Sequence, residues 1–150
     1  MQIGLQENPA LLKERRLTKR VQKTWMNYAE GRLPSWEEMQ TLDLGADWHS
    51  CFAVDLALSD GFPYFVYLGE NLARLAMIYL PDQAHREITP MDMVTAKMDE
   101  ATLTRAPVFH GDMLRLPDKR KILFRSVLLP LSENGEDVTH IFGAANGKGA

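Results

Sequence analysis

The last third of the chain constrains the fold most. Three consecutive stretches, residues 108–116, 122–131 and 138–145, are rich in Leu, Val, Ile and Phe and each has the length of a β-strand. Short polar connections separate them. Pro117-Asp118-Lys119-Arg120 joins the first two, and Glu133-Asn134-Gly135-Glu136 joins the last two. Asn-Gly between two apolar runs is a strong hairpin signal. The middle stretch is apolar on both faces apart from Arg125 and Ser126, which predicts a strand inside a sheet and not at its edge. A helical segment ending at Pro107 comes directly before. Helix followed by a three-stranded antiparallel meander predicts an α+β domain and points away from an enzyme.

A second strand pair is predicted upstream. Over residues 48–58, Phe52, Val54, Leu56 and Leu58 alternate with Cys51, Ala53, Asp55 and Ala57. Asp60-Gly61 signals a hairpin, and residues 62–68 return as an aromatic-rich strand with Pro63 near its start. Residues 70–77 read as one or two helical turns, broken at Leu80-Pro81-Asp82. Thr89 then caps a better helix running to Arg105, with Pro90 in its first turn. Its apolar side carries Met91, Val94, Met98 and Ala101.

At the other end, Asn8 and Pro9 open a helix that runs to about Glu30, stops at Gly31 and has Pro34 beyond it. Leu17, Val21, Trp25 and Tyr28 share one face of it, whereas Lys13, Arg16, Arg20 and Lys23 lie on another arc. The apolar face suits either the domain's own sheet or a second copy of the helix. The basic arc reads as solvated surface; the competing reading is a membrane or nucleic-acid adaptor. Ser35 and Glu38 have the spacing of a capping box, and Trp36, Met39 and Leu42 give that segment a small apolar side. The expected organisation is a flexible N-terminus (1–8), a flanking helix (9–34), a core (35–145) and a flexible glycine-rich tail (146–150).

Composition removes several functions. A net charge of −3 gives no global field favouring nucleic acid. One cysteine, Cys51, permits neither an intramolecular disulfide nor a zinc site of several thiolates. No apolar run approaches the roughly 20 residues that span a bilayer. The N-terminus has no charged start followed by an apolar block, so a cytoplasmic location is expected.

Catalytic and cofactor signals are sparse. His49, His85, His110 and His140 include no helical ligand pair, and no metal site is expected. His110, Asp112 and His140 fall on the terminal meander and form the one enzyme-like alternative. A Gly-x-Ser-x-Gly elbow is absent, Gly143–Gly149 lacks Walker spacing, and no Cys-x-x-Cys-His attaches haem.

Taken together, the order helix, hairpin, short helices, longer helix and three-strand meander resembles a PAS domain, and more narrowly the proteobacterial single-domain PAS-like proteins. The residues that carry the likeness are Trp25 with the Gly31-Arg32-Leu33-Pro34 turn, Trp48 opening the first strand, and the Phe65-Val66-Tyr67-Leu68-Gly69-Glu70-Asn71-Leu72 segment. The middle strand of the meander and Ile141-Phe142-Gly143 complete it.

This resemblance implies a five-stranded antiparallel sheet in the order 2-1-5-4-3, with helices on one face and an extra N-terminal helix outside the core. It implies a sensory or regulatory module that binds a small organic ligand or a partner protein and signals through association. Candidate pocket residues are Phe52, Met91, Val94, Met98, Phe124 and Leu128. Candidate homodimer residues on the N-terminal helix are Leu17, Val21, Trp25 and Tyr28. Light-sensing relatives use a cysteine in an Asn-Cys-Arg-like motif. Here Asn71-Leu72-Ala73-Arg74 has leucine at that point, which argues against a flavin photoadduct. Haem is also disfavoured: the longer helix has no histidine, methionines on a helix are ordinarily core filler, and only His85 remains as an axial candidate.

Overall fold

The computed structural model describes residues 17–29, 31–60, 63–77, 94–115 and 119–149. The expected Asn8 cap, Pro9, the Thr89–Pro90 helix start, Met91, His85 and the Asp60-Gly61 corner's glycine lie outside them.

Five strands form one antiparallel sheet: β1 (Cys51–Asp55), β2 (Phe65–Leu68), β3 (Val108–Arg115), β4 (Lys121–Leu131) and β5 (His140–Gly149). Their spatial order is β2-β1-β5-β4-β3, as the resemblance implies. The apolar run of β4 is explained by its interior place, with β3 on one side and β5 on the other. The helical elements are α1 (Leu17–Ala29), α2 (Trp36–Met39), a 3-10 helix (Gly45–Ser50), α3 (Glu70–Met77) and α4 (Met98–Thr104).

Alternation along the strands divides the apolar residues between two faces. One face carries Cys51, Ala53, Val127, Leu129, Phe142 and Ala144. Leu17, Val21 and Trp25 of α1, Met39 of α2 and Leu44 cover it. The other carries Phe52, Val54, Val108, Leu128, Ile141 and Ala145, covered by Leu72 of α3, by Val94 ahead of α4 and by Ala101 of α4. The chain therefore has three layers. Helices were expected on one face with a single helix outside; instead α2 and the 3-10 helix join α1 on the second face.

Four boundaries differ from expectation, each for a local reason. Trp48 does not open β1 but sits in the 3-10 helix. There its indole N–H donates to the Leu42 carbonyl (3.2 Å), and its ring meets Trp36, Tyr67 and Phe142. At its far end β1 stops at Asp55, whose Oδ1 accepts from the Ala57 amide (2.9 Å) and turns the chain. The helix expected over 89–105 is interrupted in its described part by a turn at 95–97. Lys97 takes the non-helical φ −110°, ψ 23°, and α4 begins after it. Finally, Asn146–Gly149 do not fray: residues 122–125 of β4 pair with them and satisfy their backbone groups.

The capping box holds: Ser35 Oγ accepts from the Glu38 amide (3.0 Å), and Glu38 Oε1 accepts from the Ser35 amide (2.9 Å). Arg32 adds two bonds to the same carboxylate, at 3.0 and 2.7 Å, and Tyr28 Oη donates a third, at 3.2 Å. Glu38 thus fastens the end of α1 to α2. The Arg32 guanidinium and then the Ser35 amide hold its carboxyl at about 2, well below the ordinary range.

Candidate ligand-binding face

The sheet face beneath α3 and α4 brings together most of the residues expected to line a pocket. Phe52, Val94 and Leu128 are buried in one cluster, with Met98 packed against it. Phe124 is buried on the same face, four residues before Leu128 on β4.

Ser126 lies between them. Register places it opposite His110 on β3 and Ala145 on β5. It is 2% exposed, and its hydroxyl oxygen has no hydrogen-bond partner among the described residues. Burying a hydroxyl without a partner costs about 1–3 kcal/mol, so such a group calls for a reason. The surroundings on β5 are small. Gly147 stands opposite Phe124, Ala145 opposite Ser126 and Gly143 opposite both Leu128 and Phe52.

Two of those small residues are close approaches of aromatic rings. A Cβ on Gly143 would lie 2.2 Å from Cζ of Phe52, and one on Gly147 would lie 3.0 Å from Cε1 of Phe124. The Phe52 ring lies over β5 on one side of Ala145, and the Phe124 ring on the other. Phe65 meets Phe52 edge-on at 5.8 Å. The result is an apolar wall with the Ser126 hydroxyl at its middle. Such a wall suits a small, uncharged organic molecule with one polar group.

The enzyme-like alternative does not assemble. His110 Nε2 is 3.8 Å from Asp112 Oδ2, and His140 Nε2 is 3.6 Å from Asp55 Oδ2. Strand alternation puts His110 on the ligand face and His140 on the opposite one. The two histidines also differ by five positions along β4, roughly 17 Å at a strand's rise per residue. His140 Nδ1 is instead 2.9 Å from Thr139 Oγ1.

Cys51 is fully buried on the α1 face, with its Sγ 3.2 Å from the Asp47 carbonyl. Burial pushes its thiol pKa up, which removes nucleophilic character. Leu72 is buried on the ligand face, whereas Cys51, the chain's single cysteine, lies on the other.

The residues expected to dock a second copy are used within the chain. Leu17, Val21 and Trp25 lie in the core between α1 and the sheet, and Trp25 Nε1 donates to the Pro130 carbonyl (3.2 Å). An amphipathic stripe indicates burial but not the partner, and here the sheet is that partner. Tyr28 stands beside this stripe, bonded to Glu38. Of the basic arc, Arg20 makes two bonds to Asp47, at 2.9 and 3.1 Å. Lys13 and Arg16 fall outside the described residues.

Sequence reasoning noted Ser126 only as one of two polar interruptions in β4. The available signal was parity: in adjacent positions of an interior strand, one of Arg125 and Ser126 must face each layer.

A sheet of order β2-β1-β5-β4-β3 with helices laid across it defines a PAS-like fold. No family model matches the chain, and no curated protein does. Among solved structures it is similar to light-oxygen-voltage (LOV) domains. The dark structure of the blue-light photoreceptor Aureochrome1 LOV shares 15% identity over 75% of this chain and 83% of that one, with a TM-score of 0.46. A fungal LOV domain photoreceptor shares 19% identity over 71% and 80%, with a TM-score of 0.42. An RNA-binding LOV receptor shares 14% identity, covering 97% of this chain and 35% of that chain, at 0.45.

Proposed function

We propose that this chain is a sensory module. A small uncharged organic ligand binds between the sheet and the α3–α4 layer, and its presence changes how the module associates with another protein. The unpartnered Ser126 hydroxyl carries this reading: it is the one buried side-chain polar atom without a partner among the described residues, and it sits among the candidate pocket residues. A ligand bonding to it would recover the desolvation cost and shift packing around Phe52 and Phe124.

A second reading has its own support. The Phe52 ring already fills the space above Gly143. A core closed in this way would serve as a docking platform with no ligand.

Native mass spectrometry of the protein purified from its source organism separates the two. The ligand reading expects an added mass on the wild type that is reduced several-fold in Ser126→Ala. Bare protein in both samples would discard it in favour of the platform.

A further inference from the structure

A groove of about 710 Å³ opens beside the start of α1, where β3 and β4 run past the helix; Lys19, Phe109, Met113, Leu123 and Arg125 line it from the α1 side, and residues of the other parity, Phe124 and Ser126 among them, also border it. Its floor is apolar and uncovered: Phe109, Met113 and Leu123 are 43%, 44% and 46% exposed. Register puts all three on the α1 side of the sheet, Phe109 opposite Val127 and Met113 opposite Leu123. Large apolar side chains gathered at one place mark an interaction surface more often than scattered ones do.

Among the described residues, cations predominate around this floor. Lys19 Nζ stands 4.6 Å from the centre of the Phe109 ring, and Arg125 lines the groove between Leu123 and the core. The pair Arg115–Lys121 continues the same face at its outer end. None of these four cations has a carboxylate partner among the described residues; the ion pairs there fall elsewhere. Asp112, the one described carboxylate bordering the groove, belongs by alternation to the other face, and its Oδ1 accepts from the Met113 amide (2.7 Å).

We infer that this groove docks an acidic amphipathic segment of a partner protein: two or three large apolar residues on the floor, carboxylates against Lys19 and Arg125. Charge complementarity argues for this occupant. A second copy of the chain would bring the same cations against themselves. The concave shape holds a helix or strand better than it meets a flat bilayer. The inference rests on Phe109, Met113, Leu123, Lys19 and Arg125 and does not require a ligand on the other face.

The test is selection of random phage-displayed peptides of about 14 residues on the full chain, then titration of the enriched peptides by fluorescence anisotropy. Enriched peptides are expected to combine Leu, Ile, Phe or Trp with Asp and Glu. Their Kd should rise about tenfold for Phe109→Glu and about fivefold for Lys19→Glu/Arg125→Glu, and should weaken with added salt. Both sites are exposed, and Leu123→Gln gives a second, milder floor variant with the same expected direction. Basic or uncharged peptides, no enriched peptides, or binding indifferent to all three variants would overturn the inference. So would self-association abolished by Phe109→Glu, or stronger binding to vesicles of about 30% phosphatidylserine or to single-stranded RNA than to any peptide.

Discussion

The two faces of the sheet treat their polar atoms differently. On the α1 face, the buried indole of Trp25 reaches the Pro130 carbonyl, the Trp48 indole reaches Leu42, and Tyr67 Oη donates to the Trp48 carbonyl at 2.8 Å. Trp36, Trp48, Tyr67 and Phe142 pack with centroids 5.5–6.4 Å apart. The polar handles of Trp25, Trp48 and Tyr67 are thus satisfied within the chain, as a permanent core requires. On the ligand face the buried rings of Phe52 and Phe124 carry no polar handle, and the buried Ser126 hydroxyl has no partner among the described residues. The first face is finished by the chain itself. The second has a polar position that no described residue completes.

This contrast can be broken most forcefully at Trp25. Trp25→Ala removes a buried ring and leaves the Pro130 carbonyl without its donor, so urea unfolding should show a loss of about 3–5 kcal/mol. A loss below about 1 kcal/mol would mean that α1 is an appendage and not a layer of the core. On the ligand face, Gly143→Ala should cost about 2 kcal/mol, because its Cβ must displace the Phe52 ring. The same change in a Phe52→Ala background should cost much less; purely additive losses would show that the ring and the glycine do not share that space.

The smallest effect belongs to Glu38. Its folded-state pKa is depressed, so its stabilising contribution is present above the ordinary carboxylate value and disappears as pH falls toward about 2. Wild type should therefore exceed Glu38→Gln in melting temperature at neutral pH, and the gap should close between about pH 4.5 and 2. Arg32→Gln should narrow that gap, since Arg32 is the principal cause of the depression.

Much of the fold was legible because strands carry their burial in a period of two. The interior place of β4 followed from its two-sided apolar run, and the existence of α1 from Leu17, Val21 and Trp25. What covered that stripe was not legible, because an apolar arc is equally compatible with a sheet or a second helix. The end of β5 was misread for a related reason. Glycine-rich composition signals loss of order, yet Gly147 has no side chain because the Phe124 ring lies across it. Phe52, Phe124 and Leu128 were candidate pocket residues through the resemblance, since a strand apolar on both faces does not say which face would hold a ligand. The solitary state of Ser126 was not legible either, since hydrogen-bond satisfaction depends on what lies opposite in space.

The direct measurement is the unfolding free energy of ligand-free wild type against ligand-free Ser126→Ala. An incomplete binding wall predicts that the alanine variant is more stable by about 1 kcal/mol, because a buried hydroxyl without a partner has been removed. A variant less stable by a similar amount would show that the hydroxyl is already satisfied inside the folded chain, and the distinction between the two faces would fall.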